Sequence, residues 1–188
     1  MMRLAFCVLI ALLVCSVLLF AGEYVVNGEF EEPLTTGWTQ KTQGSNYTII
    51  RGTGYDPDPD YEAYVYKGTP DGYAELYQIF GIFTTDMEFS ANLKLYAYDT
   101  GASDWAGAAL ILTYLDGDEW PLGATYIAMQ SSTPQWTNSN TKHVYSAPNA
   151  NWNYYAFNID NEFAYLPGIN KDDVEKIKVS LYSHVHYC

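Results

Sequence analysis

The stretch VVNGEFEEPLTTGWTQ (residues 25–40) decides how the rest of the chain is read. Asn27-Gly28 is a turn signal, and Pro33 and Gly37 load the segment against a helix. Phe30 stands among Glu29, Glu31 and Glu32, an apolar anchor fenced by acids, and Gly37-Trp38 follows. The reading that fits is a turn into a first strand, with Phe30 and Trp38 anchored in a core and the carboxylates facing water.

Upstream lies a different kind of sequence. Met1-Met2-Arg3 is a short positive start, and Leu4 to Ala21 is apolar apart from Cys7, Cys15 and Ser16. With small residues Ala21 and Gly22 at its end, this is the pattern of a secretory signal peptide over residues 1–22. A run of that length also suffices to cross a bilayer if it is retained. Val14 before Cys15 argues against a lipoprotein signal. The expectation is export, to a secreted or cell-surface location, with residues 23–188 as one folded domain. Cys7 and Cys15 leave with the leader, so Cys188 is an odd cysteine in an exported chain. The strand-like run IKVSLYSHVHYC that ends there suggests a domain truncated at its C-terminus, a piece of a longer extracellular protein.

Composition narrows the partners. The chain carries 9 Lys and Arg against 22 Asp and Glu, a formal charge of −13, and losing Arg3 makes the domain more acidic still. Such a charge repels nucleic acid and anionic lipid, so neither nucleic acid nor, after signal cleavage, a membrane is an expected partner. The 18 Tyr, 8 Phe and 5 Trp exceed what a core of this size takes up. Tyrosine in quantity gives flat apolar faces with a polar rim, suited to a soluble binding surface.

Downstream of Trp38 the chain reads as strands between turns. NYTIIRG and EAYVYKG are short β-rich runs that end in glycine. In MEFSANLKLYAYDTG, Phe89, Ala91, Leu93, Leu95 and Ala97 alternate with polar or aromatic residues, the period of a half-buried strand. GAALILTYLDGDEWPLGATYIAM predicts two strands around an Asp116-Gly117-Asp118 turn. TKHVYSA, WNYYAFNI and EKIKVSLYSHVHY complete the set, with short helical turns expected at 160–165 and 171–176, the second capped by Asn170. Strands with regular turn signals and no repeat or linker predict an all-β protein, an antiparallel β-sandwich.

VNGEFEEPLTTGWT resembles the opening of galactose-binding-like jelly rolls, the fold of many carbohydrate-binding modules. Those domains often begin Asn-Gly-x-Phe-Glu and reach Gly-Trp several residues on, and Asn27, Gly28, Phe30, Glu31, Gly37 and Trp38 stand in that pattern. GAALILTYLDGDEWPLG is similar to the family's central strand with its Asp-rich turn, and LPGINKDDVEKIKVSLY to the segment before a late strand. A closing strand with an acidic pair, usual in the family, is missing before Cys188. The resemblance implies a jelly roll that binds polysaccharide or glycan non-catalytically. It also implies a structural calcium held by backbone carbonyls and carboxylates, with Glu31 as ligand and Glu29 beside it; calcium takes six to eight hard oxygens. The alternative for Glu29 and Glu31 is a pair of solvated carboxylates.

Aromatic loop residues carry the sugar hypothesis, because a Trp or Tyr face buries the C–H patches of a saccharide while polar neighbours bond its hydroxyls. Trp105, in DTGASDWAG, and Trp120, after Asp118-Glu119, are expected in polar loops; Tyr55, Tyr61 and Tyr98 are further candidates. For each, plain packing is the alternative role. YDPDPDYE spaces acids like a calcium loop but lacks the glycine and final acid of an EF-hand, and reads as a stiff solvated loop. His184, His186 and Cys188 share a strand face and make a weak zinc candidate. No His-Glu-x-x-His, Gly-x-Ser-x-Gly or phosphate-binding glycine loop is present. The chain is therefore expected not to be an enzyme. A structural or adhesive module without a small ligand is the runner-up, and a glycoside hydrolase with two carboxylates about 5 to 10 Å apart comes third.

Overall fold

The computed structural model describes residues 24–55, 60–99, 101, 104–131 and 134–186. The proposed signal peptide and Cys188 lie outside these residues, as do Asp56 to Pro59 of the acidic loop. Among the described residues no helix is long and apolar enough to cross a membrane.

The protein is mostly β. Its strands are β1 (Thr39–Gln43), β2 (Tyr47–Gly52), β3 (Glu62–Lys67), β4 (Gly72–Gly81), β5 (Glu88–Lys94), β6 (Trp105–Leu115), β7 (Pro121–Gln130), β8 (Lys142–Ser146), β9 (Trp152–Asn158) and β10 (Lys176–His186). Six of them form one sheet in the order β1-β4-β10-β6-β7-β8, while β2-β3 and β5-β9 form separate two-stranded sheets. One core joins the three: Leu76, Leu110, Leu112, Ile177 and Val179 of the large sheet pack with Leu93, Phe89 and Ala91 of β5 and with Ile49 and Val65 of β2-β3. The period-two pattern read over residues 89–97 is therefore the inward face of β5 and its continuation, with Leu93 and Leu95 buried.

Three sequence expectations change. The sheet is not wholly antiparallel, because β8 runs parallel to β7. Trp136, in the connection between them, packs on the outer face of the sheet, in keeping with the longer crossover that a parallel pair needs. The opening stretch holds no strand before Thr39. Turns at residues 26–29 and 34–37 are joined by irregular chain, and β1 begins only after Trp38. Asn27 and Phe30 take φ of 54° and 55°, a left-handed geometry that an extended strand excludes. Asn27 organises the loop instead: its Nδ2 donates to Glu32 O and its Oδ1 accepts from Glu32 N, both at 2.9 Å. Its own carbonyl takes the Trp38 indole N–H at 3.0 Å. Trp38 is buried as expected and packs on Phe30 at 5.2 Å. Thirdly, Trp105 opens β6; the polar loop expected around it ends before the indole.

The predicted helical turns are present as Ile159–Glu162 with a further turn at Phe163–Tyr165, and as Lys171–Asp173 capped by Asn170, whose side chain accepts from Asp172 N. The first carries Glu162 into the interior. There Glu162 Oε1 accepts from the Tyr145 hydroxyl at 2.7 Å, and Oε2 accepts from Thr125 at 2.9 Å and lies 2.8 Å from His143 Nδ1. Tyr114 extends the chain to Thr125 at 2.8 Å. Burial pushes the Tyr114 hydroxyl up, which keeps it a donor. The network ties β6, β7 and β8 to the helical turn through buried polar groups that satisfy one another.

Candidate functional site

The second layer is split, and the split exposes a cleft. Since β2-β3 and β5-β9 do not pair with each other, the sheet is interrupted over the large sheet's β6 and β10. The cleft so formed has a volume of about 1130 Å³.

Strand alternation decides what faces it. In β3, Ala63 and Val65 join the core, so Tyr64 and Tyr66 point outward and are exposed. Tyr55 stacks on Tyr64 at 5.2 Å and 13°, and Tyr64 on Tyr66 at 6.3 Å and 5°, a ladder of three parallel phenols. On the β5-β9 sheet, Asn92 pairs with Tyr154 and Lys94 with Trp152, all in the outward phase. Tyr96 and Tyr98 continue that phase beyond β5, with 69% and 66% of their surface exposed, and Tyr154 has 68%. Trp152 links β9 to the β2–β3 connection, its indole N–H donating to Tyr55 O at 3.3 Å. Burial, followed by the neighbouring phenols of Tyr66 and Tyr55, pushes the Tyr64 hydroxyl up, so it stays neutral at ordinary pH.

The charged lining is mostly acidic: Glu29, Asp60, Glu62, Glu88, Asp99 and Asp104 border the cleft, against Lys67 and Lys94. This balance disfavours polyanions. Parallel aromatic faces with hydroxyls at their edges and carboxylates nearby suit a neutral, C–H-rich, hydroxyl-rich ligand.

The candidates read from sequence fall in three places. Tyr61 and Tyr98 border the cleft, and Tyr55 joins it only by stacking on Tyr64. Tyr61 has one ring face covered by the Arg51 guanidinium, 3.3 Å from the centroid. Trp105 borders the cleft but is 3% exposed, held edge-on by Trp136 at 4.8 Å and His184 at 5.2 Å. Its indole therefore presents no free face for a sugar. Trp120 is 71% exposed in the β6–β7 turn, where Asp116 Oδ1 accepts from its backbone N–H at 2.9 Å, and it is not among the cleft residues. Sequence reading missed Tyr64, Tyr66, Tyr96 and Tyr154. The signal was available for Tyr64 and Tyr66, since they alternate with Ala63 and Val65.

The calcium expectation meets a different cation. The Arg51 guanidinium donates through Nε to Phe30 O and through Nη2 to Glu31 O. Carbonyls of the kind that would coordinate calcium here accept hydrogen bonds from a fixed positive charge, so the residues present do not fit the ion. The side chains of Glu29 and Glu31 are in exposed positions. Among the described residues no group of three or more His, Cys, Asp or Glu is placed to hold a metal. His184 and His186 lie 4.0 Å and 3.3 Å from Asp71, and Cys188, the third member of the zinc candidate, lies outside the described residues.

No family model and no curated protein sequence matches this chain. Among solved structures, it is similar to the enzymatically active domain of tailspike protein 4 of bacteriophage CBA120, with 14% sequence identity and a TM-score of 0.45. The alignment covers 87% of this chain and 20% of that one, so the chain spans about a fifth of the length of that protein. The expectation that this chain is not an enzyme is corrected on that account and set aside. A likeness at this level does not transfer the neighbour's activity.

Proposed function

We propose that this domain binds a neutral polysaccharide along the tyrosine face of its split layer. The observation that carries the reading is the Tyr55-Tyr64-Tyr66 ladder, set across the cleft from Tyr96, Tyr98 and Tyr154. Sugar rings lie on aromatic faces, and hydroxyls reach phenols, Asn92 and the bordering carboxylates. An extended cleft suits a chain of sugars better than a single one. Tyrosines with free hydroxyl edges also suit a wet, adjustable groove better than the broad flat apolar patch that an adhesive packing role needs. In this reading the fold is the galactose-binding-like jelly roll, exported and acting as one module of a longer extracellular protein.

The test is retention on insoluble or gel-embedded polysaccharides, comparing neutral β-glucans, mannans and xylans with pectate and alginate. Residues 23–188 should be retained by at least one neutral polymer and released by the double substitution Tyr64→Ala, Tyr66→Ala. Retention by pectate or alginate alone, or retention indifferent to the double substitution, overturns the reading.

A further inference from the structure

On its other side the six-stranded sheet does not look like a water-washed face. Outward positions of an antiparallel sheet are ordinarily polar, yet here Ala109, Ile111, Ala124 and Ala128 point outward and are buried under Trp136, Tyr126 and Tyr182. Trp136 comes from the crossover before β8. It sits over Gly107, where a Cβ would lie 2.6 Å from its ring, so only a hydrogen fits beneath. Beside this roof the sheet leaves a hollow of about 290 Å³. That is near the lower end, roughly 300 Å³, of pockets that hold small molecules, enough for one ring and too little for a chain.

The hollow is polar at its base. Ser180 is fully buried there and donates to Glu75 Oε1 at 2.8 Å. The same oxygen lies 2.6 Å from Lys178 Nζ. Glu75 is only 5% exposed, and its Oε2 takes no hydrogen bond from a described residue. Oε2 is not one of the enclosed atoms left without a partner; at the edge of the hollow it is open to a donor that water or a ligand brings. The lining sorts the donors. Lys41 and Lys178 border the hollow and repel a cation, while Glu75 repels an anion. What remains is a neutral molecule that brings hydroxyl hydrogens to Oε2 and an apolar face to Tyr182 and Trp136. We infer that this hollow is a second site, one that takes a single neutral pyranose unit or the end unit of a glycan. It lies across the sheet from the tyrosine face and does not rest on the polysaccharide reading.

The experiment titrates methyl α- and β-pyranosides of glucose, galactose and mannose into residues 23–188. It follows the Trp136 indole N–H by two-dimensional NMR, assigned through Trp136→Phe. At least one glycoside should shift this signal saturably. Glu75→Gln should weaken that binding about tenfold, the effect of losing a charge-assisted hydrogen bond, and Thr113→Tyr, which fills the hollow, should abolish it. The Tyr64→Ala, Tyr66→Ala protein should keep the response, which separates this site from the cleft. If Glu75→Gln does not fold, Thr113→Tyr decides alone. A Trp136 signal indifferent to all six glycosides, or a shift that survives Thr113→Tyr, overturns the inference.

Discussion

The ring of Tyr165 lies flat over the imidazole of His143, 4.3 Å between centroids and 16° between planes. Beneath it Glu162 is 1% exposed and accepts three polar contacts. Removing a buried charge's partners or the charge itself leaves polar atoms stranded, at a cost of about 3–5 kcal/mol. Glu162→Ala should therefore cost that much in urea unfolding, and Glu162→Gln, which keeps the shape and an acceptor, distinctly less. Equal and small losses for the two would show that the network contributes little.

Arg51 closes the loop at residues 30–31 and covers Tyr61, so it joins the opening stretch to β2 and to the cleft rim. Arg51→Ala should destabilise the domain by about 1–3 kcal/mol, from hydrogen bonds to a charged donor and a cation–π contact. In the parent protein, chelator and added calcium should both leave the thermal midpoint unchanged. A rise of several degrees with calcium would contradict the reading of Arg51 as the cation of this loop.

Trp120 and the tyrosine ladder separate two sources of binding. Trp120→Ala removes an exposed indole outside the cleft, and should leave polysaccharide retention intact and stability within about 0.5 kcal/mol of the parent. Loss of retention with Trp120→Ala would move the site to the β6–β7 turn.

His184 supplies a pH dependence whose sign can be worked out. Burial is the leading cause that holds its imidazole below 6.5, with His186 and Lys67 acting in the same direction and Asp71 against them. A base with a depressed folded pKa binds fewer protons folded than unfolded. Stability is then lost as pH falls below 6.5 toward the folded value, and the loss stops there. Thermal midpoints should fall between pH 7 and 5, roughly the window these directions define, and His184→Gln should flatten that slope. An imidazole that titrates at or above 6.5 by NMR would remove the cause.

Much of this architecture was legible because it is written in period two. Phe89, Ala91, Leu93 and Leu95 turn inward by alternation alone, and Asn170 announces its turn. What escaped was set by distant partners. Trp105 follows Asp99, Gly101 and Asp104, which read locally as loop; its burial depends on Trp136 and His184, far along the chain. The parallel direction of β8 depends on a crossover whose Trp136 packs on Trp105 and Tyr182, far from it in sequence. Asn27-Gly28-x-Phe30 looks like a hairpin turn, but the hydrogen bonds from Asn27 to residues 32 and 33 make it a closed loop. Tyrosines of the cleft were counted by composition yet could not be placed, since a face depends on which strands fail to pair.

Asn27 also sets how this molecule ages. Asn-Gly is the dipeptide in which the glycine nitrogen most readily attacks the amide carbon, expelling ammonia to form a succinimide that water then opens to aspartate or isoaspartate. Here the amide nitrogen is pinned to Glu32 O and Pro33 O and the amide oxygen to Glu32 N. While those bonds hold, the side chain cannot swing into the geometry of attack. Once converted, a carboxylate would face two carbonyl oxygens with no hydrogen to offer them, and the lock would not close again. Mass spectrometry of stored protein thus reads a molecular clock: each deamidated Asn27 records an occasion on which the loop above Trp38 stood open.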